Sequence, residues 1–310
     1  MLQLIIKIAN EHYRYPDFFN KIEQILLKFK KQIKKNFINK EIFNIFKSNK
    51  RILLFLINKK IIIIDQYIVD TLTESKYQHA SYHSYFAPEI NSFIDQISIE
   101  NIDKEKYDLF QSKRIIGEND DDVSQMIRKD MIEEFITHTQ KTGLSLFSTI
   151  KSSIFETNSF LIDKEPTLIE YSAFFGSAQI FKYLYLNQVE LTPSLWIYSI
   201  HGDHPEIIHI LEENKIEPID DSYKECLIES IKCHHNEIAN YILKNYLNDG
   251  EKLIASKILK FHNFLFFSDH FNTEEVLFNL CRYNYVKIVE LLLVNVKLDI
   301  NKQVISKQTF

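Results

Sequence analysis

The chain has 310 residues, a formal net charge of −5 and three cysteines. A negative balance argues against a dedicated nucleic-acid-binding protein, because such proteins neutralise phosphates with an excess of Lys and Arg. No apolar run reaches the length of a signal or membrane segment, so we expect no membrane span and an intracellular protein, cytoplasmic or nuclear. In such a reducing compartment the cysteines are not expected to form disulfides.

The first 74 residues are predicted to be helical. An apolar stripe over residues 18–37 predicts an amphipathic helix, as expected for the cap of a helical array. The segment Glu41–Asp65 aligns at a constant offset with Trp196–Asp220. We therefore interpret residues 1–74 as an N-terminal helical cap followed by a degenerate repeat.

The periodic pattern weakens between residues 75 and 119. This segment begins with a stretch rich in Tyr, His and Ser and continues through Pro88 and a polar run. The composition predicts an irregular connection. Beyond it, an apolar stripe over residues 125–142 predicts a further helix, and residues 120–310 as a whole predict a repeat array that ends within a repeat.

Four segments of the array share one spacing, which is the sequence signature of a repeat protein. They are Ala173–Asn187, Ile200–Asn214, Ile231–Asn245 and Cys281–Asn295. Seven residues after each start comes an isoleucine, and each segment closes on an asparagine; these positions are Ile180, Ile207, Ile238 and Ile288, and Asn187, Asn214, Asn245 and Asn295. The isoleucines are predicted to form a buried seam. Asn tolerates the left-handed backbone that closes helices, so each asparagine is interpreted as a C-cap.

Each copy divides into a short first helix and a second helix with one apolar face. Equivalent positions of the first helix carry small residues, Ser172, Ser199 and Ser230, which allow helix backbones to approach closely. Such a pair cannot bury its apolar face alone, so neighbouring pairs are expected to stack. The predicted fold class is all-α.

These segments resemble ankyrin repeats. Cys281–Leu293 is similar to the end of an inner helix, a turn and an outer helix, and Ile200–Leu211 fits the same frame. Pro166–Gly176 and Glu225–His235 resemble a divergent ankyrin-repeat family of unknown function that is expanded in protists. The resemblance implies an ankyrin-like helical-repeat solenoid with degenerate N-terminal repeats. The Thr-Pro-Leu-His signature of ankyrin repeats is eroded here, for example to Thr167–Glu170.

The resemblance implies a function in protein–protein interaction as a non-enzymatic scaffold. In ankyrin-like stacks the exposed face of the inner helices lines a concave groove. Transferring those positions to this chain predicts partner contacts at Tyr171, Phe174, Tyr198, His201, Lys232, Arg282 and Tyr283. Tyr and Arg are enriched at interface hot spots, which favours this interpretation.

An alternative function uses the lysine-rich stretch between residues 28 and 40. A basic amphipathic helix can bind a membrane surface or RNA, although such a face is more often simply solvated. The lysines concerned are Lys28, Lys30, Lys31, Lys34, Lys35 and Lys40.

Enzymatic chemistry and cofactors are not expected. The chain contains no phosphate-binding glycine loop and no nucleophile elbow. The best candidate for a metal site is Cys226, Cys233, His234 and His235, but this spacing lacks the Cys-x-x-Cys pairs typical of zinc sites. We therefore predict no metal and no cofactor.

Overall fold

The computed structural model describes residues 1–11, 17–73, 82–94, 104–162, 164–219, 222–247, 257–263, 266, 280–281, 285–286 and 289–290. In these ranges the regular secondary structure is helical, apart from one isolated antiparallel bridge between Thr149 and Thr167. The prediction of an all-α protein is confirmed.

Seventeen helices have defined bounds, and residues 257–260 are also helical. In chain order they are α1 (Leu2–Glu11), α2 (Phe18–Lys28), α3 (Lys30–Asn36), α4 (Asn39–Phe46), α5 (Lys50–Asn58), α6 (Gln66–Thr73), α7 (Tyr82–Tyr85), α8 (Ala87–Ile94), α9 (Lys104–Ile116), α10 (Asp122–Arg128), α11 (Ile132–Thr142), α12 (Leu168–Phe175), α13 (Ala178–Leu186), α14 (Leu195–Gly202), α15 (Pro205–Glu213), α16 (Lys224–Cys233) and α17 (Asn236–Tyr246). Within the described part of the chain, every helix is too short or too polar to cross a bilayer.

The chain divides into two compact units, Met1–Glu190 and Leu191–Phe310. In the first unit, helices α1 to α8 enclose a continuous apolar core rich in Ile, Leu and Phe. Helix α5 is almost fully buried because it is apolar on nearly every side. Its Asn49 cap satisfies the first turn by accepting a hydrogen bond from the Ile52 amide at 3.0 Å.

The prediction of an irregular connection over residues 75–119 is wrong for residues 82–94 and 104–116, which form α7, α8 and α9. Helices α7 and α8 contribute Tyr82, Tyr85 and Ile90 to the apolar core. Helix α9 has no apolar stripe, because the one residue that it buries is Arg114. The fully buried Arg114 of α9 donates two hydrogen bonds to Glu89 of α8, at 2.7 and 2.8 Å. Residues 75–81 and 95–103 of this segment lie outside the described residues.

Two predicted helices are each broken into a pair. The helix expected over residues 18–37 is interrupted at Phe29, which separates α2 from α3. The helix expected over residues 125–142 is interrupted at Asp130, which adopts a left-handed backbone with φ of 51°. This break has a structural use, because the Asp130 carboxylate accepts hydrogen bonds from the first-turn amides of Gln179 and Ile180 in α13.

Helices from α10 onward are arranged in pairs. In the first unit, α10 packs on α11 and α12 on α13, and the two pairs meet through α10 with α12 and α11 with α13. In the second unit, α14 packs on α15, α16 on α17, and α14 on α16. The predicted isoleucine seam is buried at Ile180, Ile207 and Ile238, whereas Ile288 lies outside the described residues.

In three of the pairs the first helix, α12, α14 or α16, ends on a residue with a left-handed backbone. These residues are Gly176, Asp203 and His234, with φ of 68°, 51° and 61°. Only one of the three is glycine, so two copies accept the strain of a side chain at this position. The buried serines Ser172 and Ser199 lie four residues before the first two of these turns.

Asn187 and Asn214 are C-cap residues, as predicted, but the expected left-handed backbone is wrong, and Asn245 lies inside α17. Asn187 and Asn214 have φ of −90° and −86°, and the left-handed residues are their successors, Gln188 and Lys215. Each asparagine acts through its side chain instead. The Nδ2 atoms of Asn187, Asn214 and Asn245 donate to the carbonyl oxygens four residues earlier, at 2.7, 2.8 and 2.8 Å. The carbonyls of Tyr183 and Ile210 also accept the backbone N–H of the same asparagine, so the side chain adds a second hydrogen bond at the end of the helix. Asn295 lies outside the described residues.

Candidate functional site

The predicted partner-contact line lies mostly in the interior. Tyr171, Phe174, Tyr198 and His201 are all at most 8 % exposed. The expectation that they form an exposed groove is therefore wrong, because a side chain must be accessible before a partner can contact it. The side chain of Lys232 is 26 % exposed and pairs with Glu229. The remaining two predicted contacts, Arg282 and Tyr283, lie outside the described residues.

Neighbouring side chains account for the burial of the first two. The Tyr171 hydroxyl accepts a hydrogen bond of 2.9 Å from Arg128, and its ring lies 4.7 Å from that of Phe175. The Phe174 ring stacks on Phe160 with centroids 5.4 Å apart. Large aromatic side chains stabilise cores as readily as interfaces, and here they stabilise a core.

A cavity of about 580 Å³ lies in the first unit. We call it the Arg51 cavity; it is lined by Phe19, Arg51, Lys113, Ile116, Gly117, Glu118, Asn119, Asp120, Gln125, Arg128, Lys129, Glu156, Thr157, Asn158 and Phe175. Four of these residues carry cationic side chains and three carry carboxyl groups. This volume falls within the usual range for ligand-binding clefts, about 300–1,000 Å³.

Two of the cations in the cavity wall are neutralised within the wall. Lys113 pairs with Asp120 at 2.7 Å, and the Nε atom of Arg128 pairs with Glu118 at 2.9 Å. Asp120 also accepts a hydrogen bond of 2.8 Å from Ser153. These pairs fix the walls of the cavity, and Arg51 and Lys129 are the two wall cations without an ion pair among the described residues.

Arg51 is half-buried against the ring of Phe19, with 4.3 Å between its guanidinium carbon and the ring centroid. Among the described residues it has no hydrogen-bond acceptor and no carboxylate within ion-pair distance. Burial lowers the pKa of Arg51, while the charges of Glu23 and Glu118 oppose that change. The guanidinium group stays charged, and its donors are available to an acidic ligand.

Glu156 is the third carboxyl group of the cavity and is almost completely buried. Burial raises the pKa of Glu156 to about 7, although backbone N–H groups of Asn158 and Asn119 act in the opposite direction. The Asn158 amide donates to Glu156 Oε1 at 2.8 Å. A carboxyl group that is partly protonated near neutral pH opposes an incoming anion less than an ordinary carboxylate would.

The second unit contains a polar cluster between α14 and α16. The Nδ1 atom of His201 lies 3.3 Å from Cys233 Sγ, and its Nε2 atom lies 2.9 Å from Glu229 Oε1. We call these three residues the Cys233 relay. Burial raises the pKa of Glu229, but hydrogen bonds and charges from His201 and Lys232 outweigh it and lower the pKa to about 2.

The relay brings together three residue types that bind metal ions, and their ligand atoms lie within 4.8 Å of one another. The imidazole, however, lies between the thiol and the carboxylate and offers a different nitrogen to each. One ion cannot contact all three groups in this arrangement, because a metal binds a single ring nitrogen of a histidine. The geometry is that of a hydrogen-bonded chain.

The metal candidate weighed from the sequence does not assemble as a cluster. His234 Nε2 lies 3.1 Å from the Phe261 carbonyl, and His235 Nδ1 lies 3.1 Å from Asp203 Oδ2. Sequence reasoning missed the Cys233 relay because His201 and Cys233 are 32 residues apart. The spacing of 31 between Ile200 and Ile231 could have placed them at neighbouring positions of successive copies.

The lysine-rich stretch is partly engaged in intramolecular contacts. Lys30 and Lys34 donate to the carbonyls of Lys59 and Lys60, after the end of α5. Lys40 lies over the Tyr67 ring at 4.1 Å. These three contacts give half of the six lysines a role in packing.

Comparison of the chain with protein-family models, with curated proteins and with solved structures finds no match.

Proposed function

We propose that the chain is a non-enzymatic protein-binding scaffold built from ankyrin-like helical repeats. The repeated register of Ile180, Ile207 and Ile238 supports this proposal, as do the paired helices that pack on one another within each unit. Repeat arrays of this kind present a fixed surface, on which variable side chains select the partner.

The partner binds at the Arg51 cavity, and not at the buried inner-helix aromatics. The observation that carries this assignment is a half-buried guanidinium group that faces a cavity of about 580 Å³ without an acceptor in the described residues. Arginine forms bidentate, charge-assisted hydrogen bonds with carboxylates, and these are stronger than neutral hydrogen bonds. An acidic side chain of the partner completes the coordination of Arg51.

The walls of the cavity define the rest of the bound segment. Phe19, Ile116 and Phe175 contribute apolar surface beside the arginine. Ile116 is 57 % exposed, so this wall is accessible to a partner. The proposed ligand is a short protein segment in which an acidic residue is flanked by an apolar one. The net charge of −5 and the internal pairing of Lys113 and Arg128 disfavour nucleic acid at this site.

The test compares partners recovered by affinity purification and quantitative mass spectrometry from wild-type protein and from Arg51→Gln. We expect Arg51→Gln to weaken the specific partner at least about tenfold, which corresponds to losing a charged hydrogen-bond pair. Lys31→Gln combined with Lys35→Gln serves as the control, because it removes positive charge from the lysine-rich stretch and leaves the cavity intact.

Charge reversal gives the decisive result. Arg51→Glu should abolish binding, and replacing the critical acidic residue of the partner with Lys should restore it. A partner that binds Arg51→Gln as tightly as wild type overturns the assignment. If the lysine variants lose binding in place of Arg51→Gln, and the loss follows salt in co-sedimentation with anionic vesicles or RNA, the lysine-rich alternative is correct.

A further inference from the structure

We infer that Cys233 is a modification site, a thiol activated by His201 for two-electron oxidation by hydrogen peroxide. The Cys233 relay belongs to the second unit and shares no residue with the lining of the Arg51 cavity. A nucleophile next to a base, which is in turn oriented by a third group, is the geometric signature of an activated thiol.

The protonation state of the relay follows from its geometry. Glu229 accepts hydrogen bonds at Oε1 from His201 Nε2 at 2.9 Å and from Lys232 Nζ at 2.8 Å. The carboxylate therefore fixes the proton of His201 on Nε2 and leaves Nδ1 to accept the thiol proton of Cys233. Transfer of that proton creates a thiolate beside an imidazolium, and the Glu229 carboxylate stabilises the imidazolium.

The charges around the thiol favour the thiolate. Besides His201, Glu229 and Lys232, the turn after α16 contributes His234 and His235. Burial lowers the pKa of His234 from its ordinary value, so this side chain adds little charge at neutral pH. His235 lies 3.1 Å from the carboxylate of Asp203, which belongs to the turn between α14 and α15. The imidazolium of His201 is the cation in direct contact with the sulfur, and an adjacent imidazolium is known to favour the thiolate form.

The reaction balances with peroxide as the only added reagent. The Cys233 thiolate attacks one peroxide oxygen, the S–O bond forms and the O–O bond breaks. Sulfur is oxidised by two electrons, and the departing hydroxide takes the proton held by His201 to give water. The product is a sulfenic acid, the first and reversible step of thiol oxidation.

Three single-cysteine proteins provide matched thiols for the test. Cys226→Ser with Cys281→Ser retains Cys233; Cys226→Ser with Cys233→Ser retains the exposed Cys281; Cys233→Ser with Cys281→Ser retains the fully buried Cys226. Each folded protein is treated with hydrogen peroxide at pH 6.5 and pH 8.5. Sulfenic acid is trapped with a dimedone reagent and quantified by mass spectrometry.

The ratio of the two rates is the readout, because it does not depend on how accessible each sulfur is. The thiolate fraction of a thiol with the ordinary pKa is about 50-fold lower at pH 6.5 than at pH 8.5. We expect the oxidation rate of Cys233 to change by less than about fivefold over this interval, and by less than that of Cys281. In the Cys233-only protein, Glu229→Gln preserves shape and removes the charge, and it should slow oxidation at pH 6.5 by about tenfold or more.

Two results would overturn the inference. One is a pH slope at Cys233 equal to that at Cys281. The other is oxidation of Cys233 as slow as that of Cys226, which would mean that the thiol reacts only after unfolding. His201→Gln adds a second check, because in a folded variant it must bring the Cys233 slope to that of the exposed thiol.

Discussion

Arg128 donates a hydrogen bond of 2.9 Å to the hydroxyl of Tyr171, and this bond joins helix α10 to helix α12. The same guanidinium group pairs through Nε with Glu118 in the wall of the Arg51 cavity. Tyr171 is therefore a structural link between two helix pairs of the first unit. Because Tyr171 is buried between these helices, it is not accessible as a surface contact.

Removing the Tyr171 hydroxyl tests this link. Tyr171→Phe should lower the free energy of unfolding by about 1–2 kcal/mol, because Arg128 loses a buried acceptor. Tyr171→Ala should cost about 3–5 kcal/mol, since it also leaves a cavity. Denaturant unfolding measures both. Tyr183→Phe is the control, because the Tyr183 hydroxyl makes no hydrogen bond in the described part of the chain. Equal effects of the two Phe substitutions would contradict the role given to Tyr171.

The ends of the second helices provide a second prediction. Lys215 has a left-handed backbone with φ of 55°, whereas Asn214 has φ of −86°. Lys215→Gly should raise the free energy of unfolding by about 0.5–1 kcal/mol, because glycine adopts positive φ without strain. Asn214→Gly should lower the free energy of unfolding by about 1 kcal/mol. The side-chain bond to the Ile210 carbonyl is lost, and glycine increases the backbone entropy of the unfolded chain.

The opposite pattern, stabilisation by Asn214→Gly and loss of stability in Lys215→Gly, would mean that Asn214 and not Lys215 has the left-handed backbone. Thermal unfolding followed by circular dichroism distinguishes the two patterns. The pair Asn187 and Gln188 repeats the geometry one copy earlier, and Gln188 has φ of 63°. Gln188→Gly should therefore behave like Lys215→Gly.

Local periodicity accounts for the parts of the fold that were predicted from sequence. Ile207, Ile210 and Leu211 recur at helical spacing, so one buried face follows from the pattern alone. The burial of Tyr171 could not be predicted in this way, because it depends on Arg128, 43 residues earlier. Helix α9 was missed for a similar reason, since it buries Arg114 against Glu89 of α8 and leaves no periodic apolar signal.

The two candidate clusters depend on contacts between distant segments. Arg51, Arg128 and Glu156 come from three separate stretches and reach one cavity only through tertiary packing. No spacing along the chain marks them as a group. The pairing of His201 with Cys233 could be predicted more easily, because the two residues are 32 positions apart, close to the spacing between two sequence copies. The contact of Glu229 with His201 could be recognised only from the packing of α14 on α16.

The buried carboxyl group of Glu156 predicts a pH-dependent stability. Its pKa is about 7 in the folded protein and near its ordinary value, about 4.3, in the unfolded chain. The folded state therefore binds more protons between these values, and stability decreases as pH rises from about 4.5 to 7. Above pH 7 the effect of Glu156 levels off, and the free energy of unfolding is then up to about 3 kcal/mol lower than with Glu156 protonated.

Glu156→Gln should remove this part of the pH dependence, because the amide keeps an acceptor for Asn158 and carries no charge. We expect the variant to gain stability relative to wild type on moving from pH 5 to pH 8. Denaturant unfolding at the two pH values measures the difference. An unchanged difference would mean that Glu156 has an ordinary pKa in the folded protein.

Gly117 lies in the wall of the Arg51 cavity and provides the last prediction. Its φ is 71°, and a Cβ atom added there would lie 2.8 Å from Thr157 Oγ1 and 3.3 Å from Thr157 Cγ2. Thr157 cannot easily withdraw, because its hydroxyl donates to the Gly117 carbonyl at 2.7 Å. Gly117→Ala should therefore incur about 1 kcal/mol of backbone strain and a further 1–3 kcal/mol from the clash.

Gly143 separates these two contributions, because its φ is 68° and nothing lies within 4 Å of an added Cβ. Gly143→Ala should show the strain alone, about 1 kcal/mol. Adding Thr157→Ala to Gly117→Ala should restore the stability that the clash removes, but not the stability lost through backbone strain. A double-mutant cycle of unfolding free energies measures this coupling. Additive effects would mean that Gly117 and Thr157 do not touch. In that case the cavity wall would have room for a methyl group at Gly117. Gly117→Ala would then leave partner binding unchanged.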